Sequence, residues 1–204
     1  MIELFDKPKV IGLIGNINEG KSNTLYYIID ELRKTKTFKL YTYGLRNEIP
    51  DTTKIFSIHE LEQIKNSLIV IDELMTLWDL DNRLLKKAIE NSIRLIHHNN
   101  NILILSAVPE NIKKFISGKI SVLIYKKVTF EDFINGSSVK RNVLNYMGFE
   151  NGSTVLNLNI DEALIYDGLH YHKVNIPYLK QYDTKLNNEE IFKNVNKNVS
   201  KNVL

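Results

Sequence analysis

With 204 residues, 43% of them hydrophobic and 25% charged, the chain is expected to form one globular domain with a full core, and is too short for two comfortable ones. It has no cysteine, which excludes disulfides and thiolate metal sites. A net charge of +3 is compatible with a polyanionic partner. No run approaches the roughly 20 apolar residues that cross a bilayer. The start, "MIELFDKPKVIGLIG", lacks the basic and long apolar regions of a secretory signal. A soluble protein, not an integral membrane protein, is expected.

"KVIGLI" (Lys9 to Ile14) is a short apolar run ending at a glycine, the pattern of a buried strand. The loop "GNINEGKS" follows it. Leu25, Ile28, Ile29 and Leu32 then recur at helical spacing, so residues 21–34 are predicted to form a helix with one apolar stripe. "KLYTYG" reads as a second strand and "HELEQIK" as a short helix. "SLIVIDEL" (Ser67 to Leu74) is an apolar strand ending in two carboxylates.

A long helix is predicted from about Leu80 to His98, with Leu84, Leu85, Ala88, Ile89, Ser92, Leu95 and Ile96 on its core face. "NILILSA" is another buried strand, "PENIKKFISG" a helix with proline in its first turn, and "ISVLIYKKV" a further strand. Apolar strands alternating with helices imply a mainly parallel sheet covered on both faces.

After Thr129 the pattern changes. "INGSS" and "ENGST" are turn signals, "SVKRNVLNYMGF" has helical spacing, and "VLNLNI" and "ALIYDG" read as paired edge strands. "HYH" places His170 and His172 at alternating strand positions, with no third metal ligand evident from the sequence. The expected organisation is one domain over residues 1–185, with a core at about 9–128 and a C-terminal elaboration at about 129–185. Residues 186–204 form a low-complexity tail, either frayed or a helix docking through Val195, Val199 and Val203.

Gly15-x-x-x-x-Gly20-Lys21-Ser22 matches the phosphate-binding loop at every fixed position. Its glycines let backbone N–H groups turn inward, and the next helix presents its positive N-terminus to phosphate. Gly15, Asn16, Ile17, Asn18, Glu19, Gly20, Lys21, Ser22 and Asn23 are the candidate nucleotide contacts. Lys21 is placed to reach the β- and γ-oxygens of ATP, and the Ser22 hydroxyl to ligate Mg²⁺. Glu19 fits poorly, because its carboxylate stands beside the phosphate cradle. Asp72 is the second candidate metal ligand, and Glu73 the candidate base or positioner for the attacking water.

This acidic pair separates the function classes. Asn18 before "EGKS" mimics many GTPases, but "DELM" lacks the glycine of a D-x-x-G motif and no N-K-x-D guanine reader follows. Small-molecule kinases need an arginine-rich lid, and no two of Arg33, Arg46, Arg83, Arg94 and Arg141 lie within a lid-sized segment. Hydrolysis coupled to motion fits better. Ser106, at the end of "NILILSA", is the candidate γ-phosphate sensor. Arg83, Lys87, Glu90, Arg94 and His97 form a polar stripe on the long helix, either solvated or a subunit interface offering an arginine to a neighbour's nucleotide. Arg94 is the first candidate for that finger and Arg83 the second.

"GNINEGKS", "LIVIDEL", the arginine-bearing helix, "NILILSAVPENI" and "VLIYKK" resemble, in order and spacing, the FtsK–HerA ATPases. The similarity is nearest to the genome-packaging branch of membrane-containing icosahedral viruses, the archaeal turreted icosahedral viruses in particular. It covers residues 9–128, and "PYLKQYDTK" also resembles that superfamily's closing signature. The resemblance implies an α/β, RecA-like P-loop NTPase core and a homo-oligomeric ring, hexameric by expectation. It further implies ATP-driven movement of double-stranded DNA into a preformed shell, with capsid or inner-membrane vertex proteins as partners. The expected location is the host cytoplasm or the virion vertex. One position departs from the pattern: Ala107 stands where members usually carry glutamine.

Pore contacts to DNA would come from Lys113, Lys114 and Lys119 or from Arg83, Lys86 and Lys87, though either group alone reads more readily as solvated surface. Trp78 reads as a packing residue. The competing functions are a filamentous-phage-type assembly ATPase, a monomeric nucleotide kinase, and a nucleotide-gated binding module without turnover.

Overall fold

The computed structural model describes residues 7–45, 49–72, 83–108, 119–129 and 151–182. Their strands form one eight-stranded sheet. In chain order the strands are β1 (Lys9–Ile14), β2 (Lys39–Tyr43), β3 (Thr52–Lys54), β4 (Ser67–Ile71), β5 (Ile102–Ala107), β6 (Val122–Tyr125), β7 (Glu162–Tyr166) and β8 (Tyr171–Asn175). They lie side by side as β3-β2-β4-β5-β1-β6-β7-β8. Every pairing from β3 across to β6 is parallel, and β6–β7 and β7–β8 are antiparallel.

The central strands are apolar on both sides because both faces are covered. On one face α1 (Lys21–Thr35) sets Leu25, Ile28, Ile29 and Leu32 against Ile11, Leu13, Val70 and Ile104. On the other, α2 (Arg83–Leu95) and a 3₁₀ helix (Ile58–Gln63) cover Val10, Ile14, Ile69, Ile71, Leu103 and Leu105. Each such side chain taken fully out of water contributes about 1.5–3 kcal/mol, so these two layers dominate the fold's stability.

The asparagine-rich turn after α2 acts as a clasp. Asn101 accepts the Ser67 N–H at 3.0 Å and donates to the Ile64 carbonyl at 2.7 Å, both buried. Asn100 donates to Asn66 at 3.1 Å, and the Asn66 N–H reaches the Asn99 carbonyl at 2.8 Å. Asn66 and Asn100 both have positive φ, 51° and 53°, which asparagine tolerates better than most residues. This ties the start of β5 to the start of β4 and keeps both strand ends in register.

Several sequence expectations change. β3 is an additional strand, the strand read at "HYH" is β8 but begins at Tyr171 and leaves His170 in the turn, and β6 is only four residues long. The "NGST" part of the expected turn is helical: residues 151–156 are α-helix, and Val155 and Leu158, three apart, are buried where a strand would alternate. The core contact made by those two residues outweighs the local turn propensity of Asn151 and Gly152. "VLNLNI" is therefore not a strand, and "ALIY" pairs with β6 and β8 instead. The long helix ends at Leu95, short of His98. The helices expected at 109–118 and 138–149, residues 80–82, Trp78, Arg46, Arg141 and the tail at 186–204 lie outside the described residues.

Candidate functional site

Two backbone bonds anchor the loop after β1: Gly15 N–H to the Ala107 carbonyl at 3.3 Å, and Asn16 N–H to the Lys127 carbonyl at 3.1 Å. The loop thus hangs between the ends of β5 and β6. Asn18 at its tip has φ 65°, a left-handed conformation that suits asparagine. Gly20 then opens α1 with φ 78°, and no side chain caps the helix. The first turn holds no acidic residue, so nothing in the sequence of the helix offsets its positive end.

Lys21 folds back over the loop and donates to the carbonyls of Gly15 at 2.8 Å and Asn16 at 2.7 Å. Ser22, one residue on, donates to Asp72 Oδ2 at 3.3 Å. Asp72 is almost fully buried, and its N–H is held by the Tyr43 carbonyl at 2.9 Å. Asp72 therefore meets Ser22 across β5, which lies between β4 and β1. Octahedral Mg²⁺ with oxygens at about 2.1 Å sets adjacent ligand atoms about 3 Å apart. The Ser22–Asp72 pair fits that ion in spacing and in hard-oxygen character.

Ser106 lies on β5, paired with Leu13 of β1, hence between the loop and Asp72. It is fully buried, and among the described residues its hydroxyl has no hydrogen-bond partner. An orphaned hydroxyl costs about 1–3 kcal/mol, which packing alone does not explain. Glu73 lies outside the described residues, as do Lys113 and Lys114. The two arginine candidates sit at opposite ends of α2. Arg94 is exposed in the last turn, beside the asparagine clasp at the starts of β4 and β5, and so at the sheet edge away from the phosphate loop. Arg83 begins the helix, at the loop's end of the sheet. Lys87 and His97 are exposed and Glu90 is half-buried, as a polar stripe requires, and Lys119 is exposed.

Lys126 is a site residue that the sequence reading passes over. It follows β6 and is completely buried. Its amine donates to the carbonyls of Ile160, at 2.7 Å, and Glu162. Its stem floors the phosphate loop: a Cβ on Gly15 would come within 2.5 Å of Lys126 Cβ, and one on Gly20 within 3.5 Å of Lys126 Cε. Burial lowers its pKa to about 8, against the opposing pull of Asp161, Glu19 and Glu162. Glu19, the awkward carboxylate of the loop, thus acts on a buried cation below it.

Asn23 is engaged with the protein rather than directed wholly at a nucleotide. Its side chain donates to the Pro177 carbonyl at 3.1 Å and accepts the Leu179 N–H at 2.9 Å. Tyr182 stacks on Tyr26 with ring centres 4.4 Å apart, and its hydroxyl donates to Asp30 at 2.9 Å. The segment "PYLKQY" is therefore a strap laid along α1 beside the loop. The only signal for this in the sequence is the segment's resemblance to a closing signature.

No protein-family model matches the chain, and no curated protein does. Solved structures do. The DNA-packaging ATPase B204 from Sulfolobus turreted icosahedral virus superimposes with a TM-score of 0.64 at 16% identity, covering 85% of this chain and 100% of that one. The genome-packaging NTPase B204 from Sulfolobus turreted icosahedral virus 2, in complex with ATP-γ-S, gives 0.60 at 17% identity over 85% and 100%. EssC (ATPases 2 and 3) from Geobacillus thermodenitrificans gives 0.58 at 14% identity, over 98% of this chain and 46% of that one. The fold is that of a RecA-like P-loop NTPase. At 14–17% identity these likenesses concern the fold alone. Among the described residues no helix is long and apolar enough to cross a membrane.

Proposed function

We propose that the chain is a Mg²⁺-dependent ATPase that works as a motor on double-stranded DNA, packaging a viral genome into a preformed capsid. The observation that carries the hydrolytic part is the Ser22–Asp72 contact of 3.3 Å beside Lys21 on a glycine-walled loop. Lys21 would exchange its two loop carbonyls for the β- and γ-phosphate oxygens of ATP. Ser22 and Asp72 would hold Mg²⁺, which neutralises charge on those oxygens when bound. The Ser106 hydroxyl, without a partner among the described residues, suits a donor to the γ-phosphate.

Glu73 follows Asp72 directly and serves as base for the attacking water. The water oxygen bonds to the γ-phosphorus as the β–γ bridging bond breaks, and its proton passes to the carboxylate. An arginine from a neighbouring subunit completes the site in a ring of expected hexameric size. Arg83 has the better claim than Arg94, because it stands at the phosphate-loop end of α2. The DNA part rests on the likeness to two B204 packaging enzymes, each covered over its full length. Vertex proteins of the capsid or inner membrane are the implied partners, and residues 1–185 the implied working domain.

The test is ATPase rate against protein concentration, with and without double-stranded DNA. A motor completed by its neighbours gains rate with both. A monomeric kinase gains with neither and needs a small acceptor, an assembly ATPase of the filamentous-phage type gains with concentration alone, and a binding module shows affinity without turnover. Glu73→Gln should lower kcat by about 10²–10⁴ while ATP still binds. An unchanged rate would remove Glu73 from the mechanism.

A further inference from the structure

The turn between β7 and β8 brings together three side chains that ATP hydrolysis does not use. Asp167, His170 and His172 each offer a ligand atom, and those three atoms lie within 4.8 Å of one another. Asp167 Oδ2 is 3.3 Å from His172 Nε2, and the imidazole centres are 6.1 Å apart. Asp167 Oδ1 accepts the N–H groups of Leu169 and His170, both at 2.8 Å. One carboxylate oxygen is therefore fixed by the backbone, and the other is aimed at the histidines.

We propose that Asp167, His170 and His172 form a binding site for a divalent transition-metal ion of the zinc class. The donor set decides the class. Two imidazole nitrogens and one carboxylate suit Zn²⁺, Co²⁺ or Ni²⁺, whereas Mg²⁺ and Ca²⁺ prefer oxygen alone. Tetrahedral Zn²⁺ with bonds of about 2.0–2.1 Å needs ligand atoms about 3.3 Å apart. The Asp167–His172 pair already has that spacing, and rotation of the exposed His170 ring closes the remainder. Three protein ligands leave a fourth position for water.

The scaffold is firm on the opposite face of the hairpin. Tyr166 and Tyr171 stack with ring centres 4.6 Å apart, and the Tyr166 hydroxyl donates to the Gly168 carbonyl at 2.8 Å. The site lies at the far end of the sheet from the phosphate loop, since Tyr166 pairs with Leu123 near the start of β6 while Glu162 lies by Lys126. It is distinct from the Ser22–Asp72 pair in place and in chemistry, and does not depend on the ATPase reading. A bound ion would pin the last hairpin of the sheet, whose outer strand β8 has no further strand beside it among the described residues.

The experiment uses the full chain, stripped with chelator and titrated with Co²⁺ in excess Mg²⁺, read by visible absorption and by competition with Zn²⁺. One saturable Co²⁺ per chain is expected, displaced by Zn²⁺ and not by Mg²⁺. Asp167→Asn and His172→Ala should each weaken binding by at least about tenfold. His170→Ala keeps the backbone bonds of the turn, so it should lose binding with its circular dichroism unchanged. Zn²⁺ should raise the Tm of the wild type and leave that of His170→Ala where it was. The proposal is overturned if no saturable binding occurs. It is equally overturned if the His97→Ala/His98→Ala variant loses the signal while the three turn variants keep it.

Discussion

The six-stranded parallel half and the antiparallel flank are held by different physics. In the parallel half, apolar strands are sandwiched between α1 on one face and α2 with the 3₁₀ helix on the other, and its polar contacts serve turns and the loop. The flank, residues 151–182, contributes less core but reaches into the phosphate loop through polar bonds from far along the chain. Ile160 and Glu162 receive the Lys126 amine, Pro177 and Leu179 grip Asn23, and Tyr182 bonds Asp30. The parallel half makes the loop, and the flank braces it. Nucleotide binding should therefore depend on residues that touch no nucleotide.

The strongest challenge to this comparison is Lys126→Met. It strips the floor of the loop of its two hydrogen bonds, so stability should fall by about 1–3 kcal/mol, measured by denaturant unfolding. ATP affinity should fall by more than the loss of folded protein explains. The same variant tests the charge. A lysine whose pKa is lowered from 10.5 to about 8 is protonated in both folded and unfolded chains below pH 8, where its burial penalty is fully present. Between pH 8 and 10.5 the unfolded chain binds the extra proton, so stability rises with pH. The wild type should gain on Lys126→Met across that window, and a constant difference would contradict the desolvated amine.

Gly44→Ala probes the parallel half by comparison. Gly44 has φ 77°, and a Cβ there would lie 2.4 Å from the Asp72 carbonyl oxygen. The conformational cost alone is about 1–2 kcal/mol, and the displaced Asp72 should lose metal-dependent hydrolysis before it loses fold. Asn23→Ala should cost about 1–2 kcal/mol by releasing the strap, with a raised KM for ATP and little change in kcat. If KM stays put, the flank does not brace the site. Ser106→Ala is the smallest structural change. Removing a buried hydroxyl that has no partner among the described residues should leave stability equal or up to about 1 kcal/mol higher, while hydrolysis slows. Unchanged turnover would assign Ser106 to packing.

The legibility of the chain follows the same division. β1, β4 and β5 were readable because a parallel strand buried on both faces must be a continuous apolar run, as "VIGLI", "LIVI" and "ILIL" are. The loop was readable because close backbone approach to phosphate admits glycine and little else. The flank was obscure because its elements are short and amphipathic, and "NGST" is helical through contacts its own residues do not announce. "YKK" carries no mark that one lysine is fully buried and the next is not. "HYH" shows two ligands, while the third, Asp167, looks like any turn aspartate until β7 and β8 pair.

By itself the sequence determined which residues enter water-free layers and which loop can receive a phosphate chain, since both follow from local spacing and side-chain chemistry. Tertiary structure alone decided that β5 stands between β1 and β4, that Lys126 lies beneath Gly15 and Gly20, and that Asn23 faces the strap. Those arrangements depend on strand order and on pairings up to 156 residues apart, which no local pattern encodes.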